Sequence, residues 1–192
     1  MTKRYQSELR STQKEQTRER ILDGLARVMA TGVVELSIPA VARQARVSVP
    51  TVYRYFPTKK ALVAALAAHV ERRGGGDLPA PEDPEALAAS AHELFRRLDG
   101  LDDATRAAMA SRLGSRMRRK TMIEGRRALV AKALAPAARG LSAASHERLI
   151  NVVLVLWSSA SLHAFKDYLG LDADEAADHV AWAIRALALG ER

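Results

Sequence analysis

The 192-residue chain has no cysteine and few aromatic residues. Without cysteine, disulfide frameworks and thiolate metal sites are excluded. The first twenty residues are charged throughout and do not resemble a secretory signal, and no apolar run reaches the length of a membrane-spanning helix. We therefore expect a cytoplasmic protein, and its hydrophobic fraction of 48% is ample for a buried core.

Strand-like alternation is also absent, whereas apolar residues recur at helical spacing along most of the chain. The pattern predicts an all-α fold of about nine helices. The predicted helices cover residues 13–31, a short segment after Ser37, 49–55, a segment after Thr58, 84–98, 103–117, 119–135, 143–169, and a last segment from about 172 to 189. The Gly- and Pro-rich stretch GGGDLPAPEDP at residues 74–84 is the one clear shift in composition and separates an N-terminal from a C-terminal part.

The positive charge lies in the first third of the chain. Residues 1–60 contain twelve Lys and Arg against five Asp and Glu, whereas residues 61–192 contain eighteen against seventeen. A basic region of this kind indicates a polyanionic partner. Within it, the stretch SVPTVYRYFPTKK at residues 48–60 places three of the scarce aromatics among four residues and ends in two lysines.

This stretch follows a short helix and a turn, with Ser37 and Ser48 at the positions of helix N-caps. Two short helices joined by a tight turn form a helix-turn-helix, whose second helix enters the DNA major groove. Val52 and Phe56 are four residues apart and are predicted to face inward. The outward face then carries Pro50, Thr51, Arg54 and Tyr55, and Tyr53 lies at its flank. With Ser48 at the start of the helix and Lys59 at the next helix, these are the residues that we assign to DNA.

The alternative is that the aromatics only fill the core of a helical bundle and that the lysines face solvent. We favour DNA contact because the charge and the helix-turn-helix spacing coincide. The basic residues before the first helix, Lys3, Arg4, Arg10 and Lys14, contact DNA in one interpretation and form a disordered tail with non-specific attraction in the other.

Residues 21–62, ILDGLARVMATGVVELSIPAVARQARVSVPTVYRYFPTKKAL, resemble the DNA-binding domain of tetracycline-repressor (TetR) type transcriptional regulators, including the series Tyr53, Phe56 and Lys59. The resemblance implies a DNA-binding domain at 1–60, an effector-binding and dimerisation domain at 61–192, and a DNA contact at Ser37. It also implies a repressor that acts on an inverted-repeat operator, with transcriptional activation as the alternative. The family's usual turn glycine is Arg46 here, so a left-handed backbone at this position would cost on the order of 1 kcal/mol.

The last two predicted helices are rich in apolar and small residues, which favours burial against a second copy of the chain. The resemblance implies the same homodimer. The residues assigned to its interface are Leu156, Ala160, Ala176, Val180, Ala183 and Leu187. A monomer that covers these faces internally is the alternative.

By resemblance, a set of apolar and polar residues lies on the helices that surround an effector cavity: His92, Phe95, Met109, Leu113, Met117, Met122, Trp157 and Ser161. The implied effector is a small apolar or amphipathic molecule. Ordinary core packing is the alternative for each of them. The basic run from Arg112 to Arg127 forms either a solvated face that pairs with acidic residues or a site for an anionic effector.

No catalytic constellation is evident, so we expect neither an enzyme nor a cofactor. His163 and Asp167 lie on one predicted helix and cannot readily enclose a substrate. The five histidines show no metal-ligand spacing, and no metal site is expected. A DNA-binding protein without a small-molecule effector, controlled by a protein partner or acting on DNA architecture, is the remaining alternative.

Overall fold

The computed structural model describes residues 2–33, 35–73 and 78–190, and it describes side chains from residue 10 onward except those of 117, 118, 120 and 121. Across these residues the fold is all-α, as predicted, with eleven helices and no strand. The helices are α1 (Thr2–Ala30), α2 (Ile38–Ala45), α3 (Val49–Tyr55), α4 (Lys59–Arg73), α5 (Pro84–Asp99), α6 (Asp103–Ala110), α7 (Arg112–Thr121), α8 (Ile123–Leu134), α9 (Ala143–Leu156), α10 (Ser159–Leu169) and α11 (Ala173–Leu189).

The predicted helix count of about nine is too low because two predicted helices are interrupted. α6 ends at Ala110, and the hydroxyl of Ser111 accepts a hydrogen bond from the Gly114 amide (3.1 Å), so a new helix begins there. A Cβ on Gly114 would lie 2.2 Å from the Ala108 carbonyl oxygen, which is why only glycine fits this junction. Farther along, the predicted helix 143–169 breaks at Trp157 and Ser158, and α9 and α10 are bent by 60°.

α1 begins at Thr2 instead of residue 13. The added segment contains neither proline nor glycine, so nothing in it stops a helix. Apolar periodicity did not reveal it, because Tyr5 and Leu9 alone do not make an apolar stripe. The side chains of Lys3 and Arg4, and the glycines 74–76 of the predicted linker, lie outside the described residues.

The described residues form two compact units. The first contains residues up to 70 together with Asp102–Thr121, and the second contains the described parts of 71–101 and 122–190. These units are defined by packing within the chain, whereas the predicted domain boundary at residue 60 separates two expected functions. The domain boundary at residue 60 therefore stays a prediction. None of the described helices is by itself long and apolar enough to span a membrane, although α9 and α10 reach that length as a bent pair.

In the first unit, α1 packs on α2 and α6. Its buried face includes Ile21, Leu22 and Leu25, which are fully buried, as is Val41 of α2. α1 and α2 approach closely at Gly24, where a Cβ would lie 2.9 Å from the Cβ and backbone nitrogen of Ala45. This close approach fixes α2 against α1 and so sets the position of the turn that follows α2.

In the second unit, α5 and α11 form the principal helix pair, and they run antiparallel. Glu85 at the start of α5 pairs with Arg185 near the end of α11, and Arg96 near the end of α5 pairs with Asp174 at the start of α11 (2.8 Å). The Arg185 guanidinium donates hydrogen bonds to both carboxylate oxygens of Glu85 and thereby holds the pKa of that carboxyl below its ordinary value of 4.5.

Two residues assigned to the dimer interface belong to this core. Ala176 and Val180 are 0% exposed in the single chain, on the side of α11 that is buried within the unit. They cannot contact a second chain, because no surface is left for a partner to cover. The expectation for these two residues is therefore corrected. Leu156 and Ala183 are half-buried, Ala160 is exposed and Leu187 is 50% exposed.

Candidate nucleic-acid interface

α2 and α3 are set by local capping. The Ser37 hydroxyl accepts a hydrogen bond from the Ala40 amide (3.4 Å), and the Ser48 hydroxyl accepts one from the Thr51 amide (3.2 Å). Each helix also carries a proline in its first turn, where a missing N–H costs nothing. Both short helices therefore begin where side-chain acceptors satisfy their free amides.

The turn between them is a Schellman motif centred on Arg46. The Val47 amide donates to the Ala42 carbonyl (3.0 Å), and the Arg46 amide donates to the Arg43 carbonyl (3.2 Å). Arg46 adopts φ 54° and ψ 46°, the left-handed conformation that glycine normally supplies. It is the one non-glycine residue of the described chain with positive φ. The hydrogen bonds of the turn thus hold a strained arginine in place.

The faces of α3 are divided as predicted from the sequence. Val52 is fully buried and Phe56 is 5% exposed, and both contribute to the core under the helix. The guanidinium of Arg18 on α1 lies 5.6 Å from the centre of the Phe56 ring and covers one side of it. α3 is thereby anchored by one face, and its other face remains open.

The open face carries the residues assigned to DNA. Tyr53 is 45% exposed, Pro50 and Arg54 are exposed, and Thr51 and Tyr55 are half-buried. The Arg54 guanidinium lies 5.5 Å from the centre of the Tyr55 ring, which keeps the cation and the ring at one end of the helix. At the other end the hydroxyls of Ser48 and Thr51 are hydrogen-bonded to each other (2.8 Å).

Next to this face, α4 begins with two exposed lysines. Thr58 caps the helix by accepting a hydrogen bond from the Ala61 amide (3.0 Å), and Lys59 and Lys60 follow in its first turn. Ammonium charge and the free amides of a helix N-terminus both attract phosphate. Ser48, the exposed residues of α3 and the start of α4 follow one another in one short segment of the first unit. Ser37 lies apart from them, at the start of α2.

The residues assigned to an effector cavity are distributed over both units. Met109 and Leu113 belong to the first unit, and the side chain of Met117 lies outside the described residues. In the second unit Phe95 is fully buried, and Trp157, Ser161 and Met122 are between 6% and 9% exposed. His92 is half-buried, and its two ring nitrogens lie 3.8 Å from Asp174 and 3.3 Å from Asp178.

The network around Trp157 was not predicted from the sequence. Its indole nitrogen donates to the Ser90 hydroxyl (3.0 Å), and its carbonyl accepts from Arg126. The Arg126 guanidinium also lies 4.9 Å from the centre of the Trp157 ring. Arg127, the next residue of the basic run, pairs with Glu147 and Asn151. No local signal in the sequence could have revealed these pairs, because the partners are far apart in the chain.

Residues 35–60 thus have the geometry of a helix-turn-helix, and this architecture defines a class of DNA-binding proteins. Residues 21–66 match the family model described as bacterial regulatory proteins, tetR family. A related protein, the HTH-type transcriptional repressor KstR of Mycolicibacterium smegmatis, is 41% identical over 85 residues, which is 43% of this chain and 39% of the relative's length. The family match covers residues 21–66, and the aligned region spans well under half of the KstR protein.

Proposed function

We propose that the protein is a sequence-specific transcriptional regulator, and that it represses transcription by binding operator DNA as a homodimer in the cytoplasm. The observation that carries this proposal is the exposed face of α3, anchored from behind by Val52 and Phe56 within the TetR-type domain. A helix that is buried on one side and presents polar and aromatic groups on the other can enter a major groove without losing its support.

Each residue of the open face has a role in this proposal. Thr51 and Arg54 read base edges, because a threonine offers a hydroxyl and a methyl group and an arginine matches guanine O6 and N7. Tyr53, Tyr55 and the hydroxyls of Ser37 and Ser48 bind the phosphate backbone. Pro50 contributes apolar contact at the start of α3. Lys59 binds a phosphate at the N-terminus of α4.

The second unit offers an apolar surface for a partner copy. Val152 is 48% exposed and Leu187 is 50% exposed, and they line a shared groove of about 270 Å³ together with Leu141 and Leu149. On other parts of α9 and α11, Val155 and Trp182 are 63% and 61% exposed. We propose that Leu156, Ala160, Ala183 and Leu187, joined by Val152, Val155 and Trp182, contact the partner copy.

A two-fold dimer presents two recognition helices, so the operator is an approximate inverted repeat. We propose that a small apolar or amphipathic effector binds in the domain 61–192 and releases the DNA. Trp157, Met122 and Ser161 would supply apolar surface and a hydroxyl for it. Release requires that the effector bind the conformation off the operator more tightly than the DNA-bound one. The chain acts in this scheme without catalysis.

The test is DNA binding by the purified protein to the intergenic DNA upstream of its own gene and to random DNA, at physiological salt. Thr51→Ala and Tyr55→Ala should lower affinity for the upstream DNA strongly and leave dimerisation, measured by sedimentation, unchanged. Tyr168→Ala is the matched control, because Tyr168 is 86% exposed on α10 and lies outside the proposed contacts.

A panel of hydrophobic small molecules added to the wild-type complex tests the effector. Selective binding that is released by one class of compound would support the full proposal. Selective binding that no compound changes would favour a regulator without a small-molecule effector. Equal and salt-sensitive binding to both DNAs would contradict sequence-specific regulation.

A further inference from the structure

A basic groove lies on the first unit, between α1 and the end of α2. It has a volume of about 380 Å³ and is lined by Arg20, Asp23, Arg27, Gln44, Ala45 and Arg46. We call it the arginine groove. The open face of α3 and the start of α4, where the proposed DNA contacts concentrate, contribute none of these lining residues.

Packing and backbone conformation together build this groove. Arg20, Asp23 and Arg27 are spaced by three and four residues and so share one face of α1. Gly24 lets α2 approach this part of α1 so closely that a Cβ would collide with Ala45. The left-handed turn then places Arg46 in the lining of the same groove.

The charge of the groove is strongly positive. Three guanidinium groups and one carboxylate line it, which leaves a net charge of +2. Arg20, Arg27 and Arg46 are exposed, and none of them forms an ion pair with Asp23 or with another residue in the described part of the chain. Their donors are therefore available to an anion, and the guanidinium fork matches phosphate oxygens.

Arg46 supplies a second, independent argument. An arginine in the left-handed region is strained, and strained residues concentrate at functional sites. Glycine would form the same turn without strain, but it would remove one of the three guanidinium groups from the groove. The turn itself does not require an arginine side chain, so the role of this side chain lies in the groove.

We propose that the arginine groove binds a phosphate group. The phosphate belongs either to the DNA backbone beside the segment that α3 reads or to a free phosphorylated compound. Arg46 lies two residues before Ser48, the N-cap of α3, so the groove adjoins the start of the helix proposed to enter the DNA. Binding of a DNA phosphate rests on the proposed function, whereas binding of a free phosphorylated compound does not.

The first arm of the experiment measures the affinity for a random-sequence DNA duplex between about 50 and 200 mM salt. It compares the wild type with Arg46→Gln and with the double variant Arg20→Gln/Arg27→Gln. The control is Arg139→Gln, which removes the same charge from an exposed position in the second unit. The second arm titrates pyrophosphate into each protein without DNA, by calorimetry. Arg20 and Arg27 are exposed on a long helix, so glutamine there preserves the fold even if Arg46→Gln does not.

If DNA supplies the phosphate, the slope of log affinity against log salt decreases by about 0.9 in both groove variants and stays at the wild-type value in the control. If a free compound supplies it, the slopes are equal, and pyrophosphate binds the wild type and the control but not the groove variants. Equal slopes together with no difference in pyrophosphate binding would overturn the proposal. A wild type that binds no DNA contradicts the proposed regulator, and the pyrophosphate arm still decides the groove.

Discussion

Replacing the strained arginine of the turn, Arg46→Gly, should stabilise the first unit. Arg46 has φ 54° and ψ 46°, where a residue with a Cβ loses about 1–2 kcal/mol relative to the right-handed region. Glycine removes that strain but makes the unfolded chain more flexible, at a cost of about 0.4–1 kcal/mol. The expected net gain is about 0.5–1 kcal/mol, or a few degrees in melting temperature for a chain of this size.

The assay is thermal and urea unfolding followed by far-UV circular dichroism. Both tryptophans, Trp157 and Trp182, lie in the second unit, so tryptophan fluorescence reports on that unit and serves as an internal reference. The variant should shift the dichroism transition upward and leave the fluorescence transition unchanged. The two probes thereby separate a local effect at the turn from a general change in the protein.

Two further variants identify the cause. Arg46→Ala keeps the Cβ and should gain nothing from backbone relief. Arg43→Gly lies inside α2 and should lose about 1 kcal/mol, because glycine is a poor helix former. If Arg46→Gly is no more stable than the wild type, the strain argument is wrong. If Arg46→Ala and Arg46→Gly gain equally, repulsion among the groove arginines is the cause instead.

Three further variants test other parts of the structure. Gly24→Ala should destabilise the first unit by about 1–3 kcal/mol, because the alanine Cβ would lie 2.9 Å from atoms of α2. A decrease of less than about 0.5 kcal/mol in the free energy of urea unfolding would show that α1 and α2 can separate easily. Trp157→Phe removes the hydrogen bond to Ser90 and should cost about 1 kcal/mol, measured by the urea midpoint, while an unchanged midpoint would make that bond irrelevant to stability. Glu85→Gln should lower stability at neutral pH, because Arg185 depresses the pKa of Glu85 and the ionised carboxylate is the stabilising form. The difference in stability from the wild type should shrink as the pH falls below 4.5 and through the depressed pKa. A difference that does not change between pH 7 and pH 3 would contradict this cause.

The sequence alone was sufficient for the helix-turn-helix and for the division of α3 into a buried and an open face. Caps at Ser37, Ser48 and Thr58 act on amides three residues away, so their information is local. Val52 and Phe56 are one helical turn apart, and their burial follows from that spacing. The all-α class followed in the same way, because helical periodicity is visible within a short window of residues.

The tertiary structure decided the features that depend on residues far apart in the chain. The break between α9 and α10 involves Trp157, whose partners Ser90 and Arg126 are 67 and 31 residues away. The sequence placed Ala176 and Val180 in a last helix rich in apolar residues, but only the packing of α5 on α11 shows that the chain covers them itself. An apolar stripe indicates that a helix face is buried, but it does not identify the surface that buries it.

The arginine groove illustrates the same limit. The sequence shows that Arg46 replaces the usual turn glycine, and it places Arg20 and Arg27 on one face of α1. These side chains line one groove only because α1 and α2 are in close contact at Gly24, and no local sequence pattern encodes that contact. The sequence by itself determined the local helices, caps and charge, since their interactions span a few residues. The fold decided which distant side chains meet, because those contacts exist only once the helices have packed.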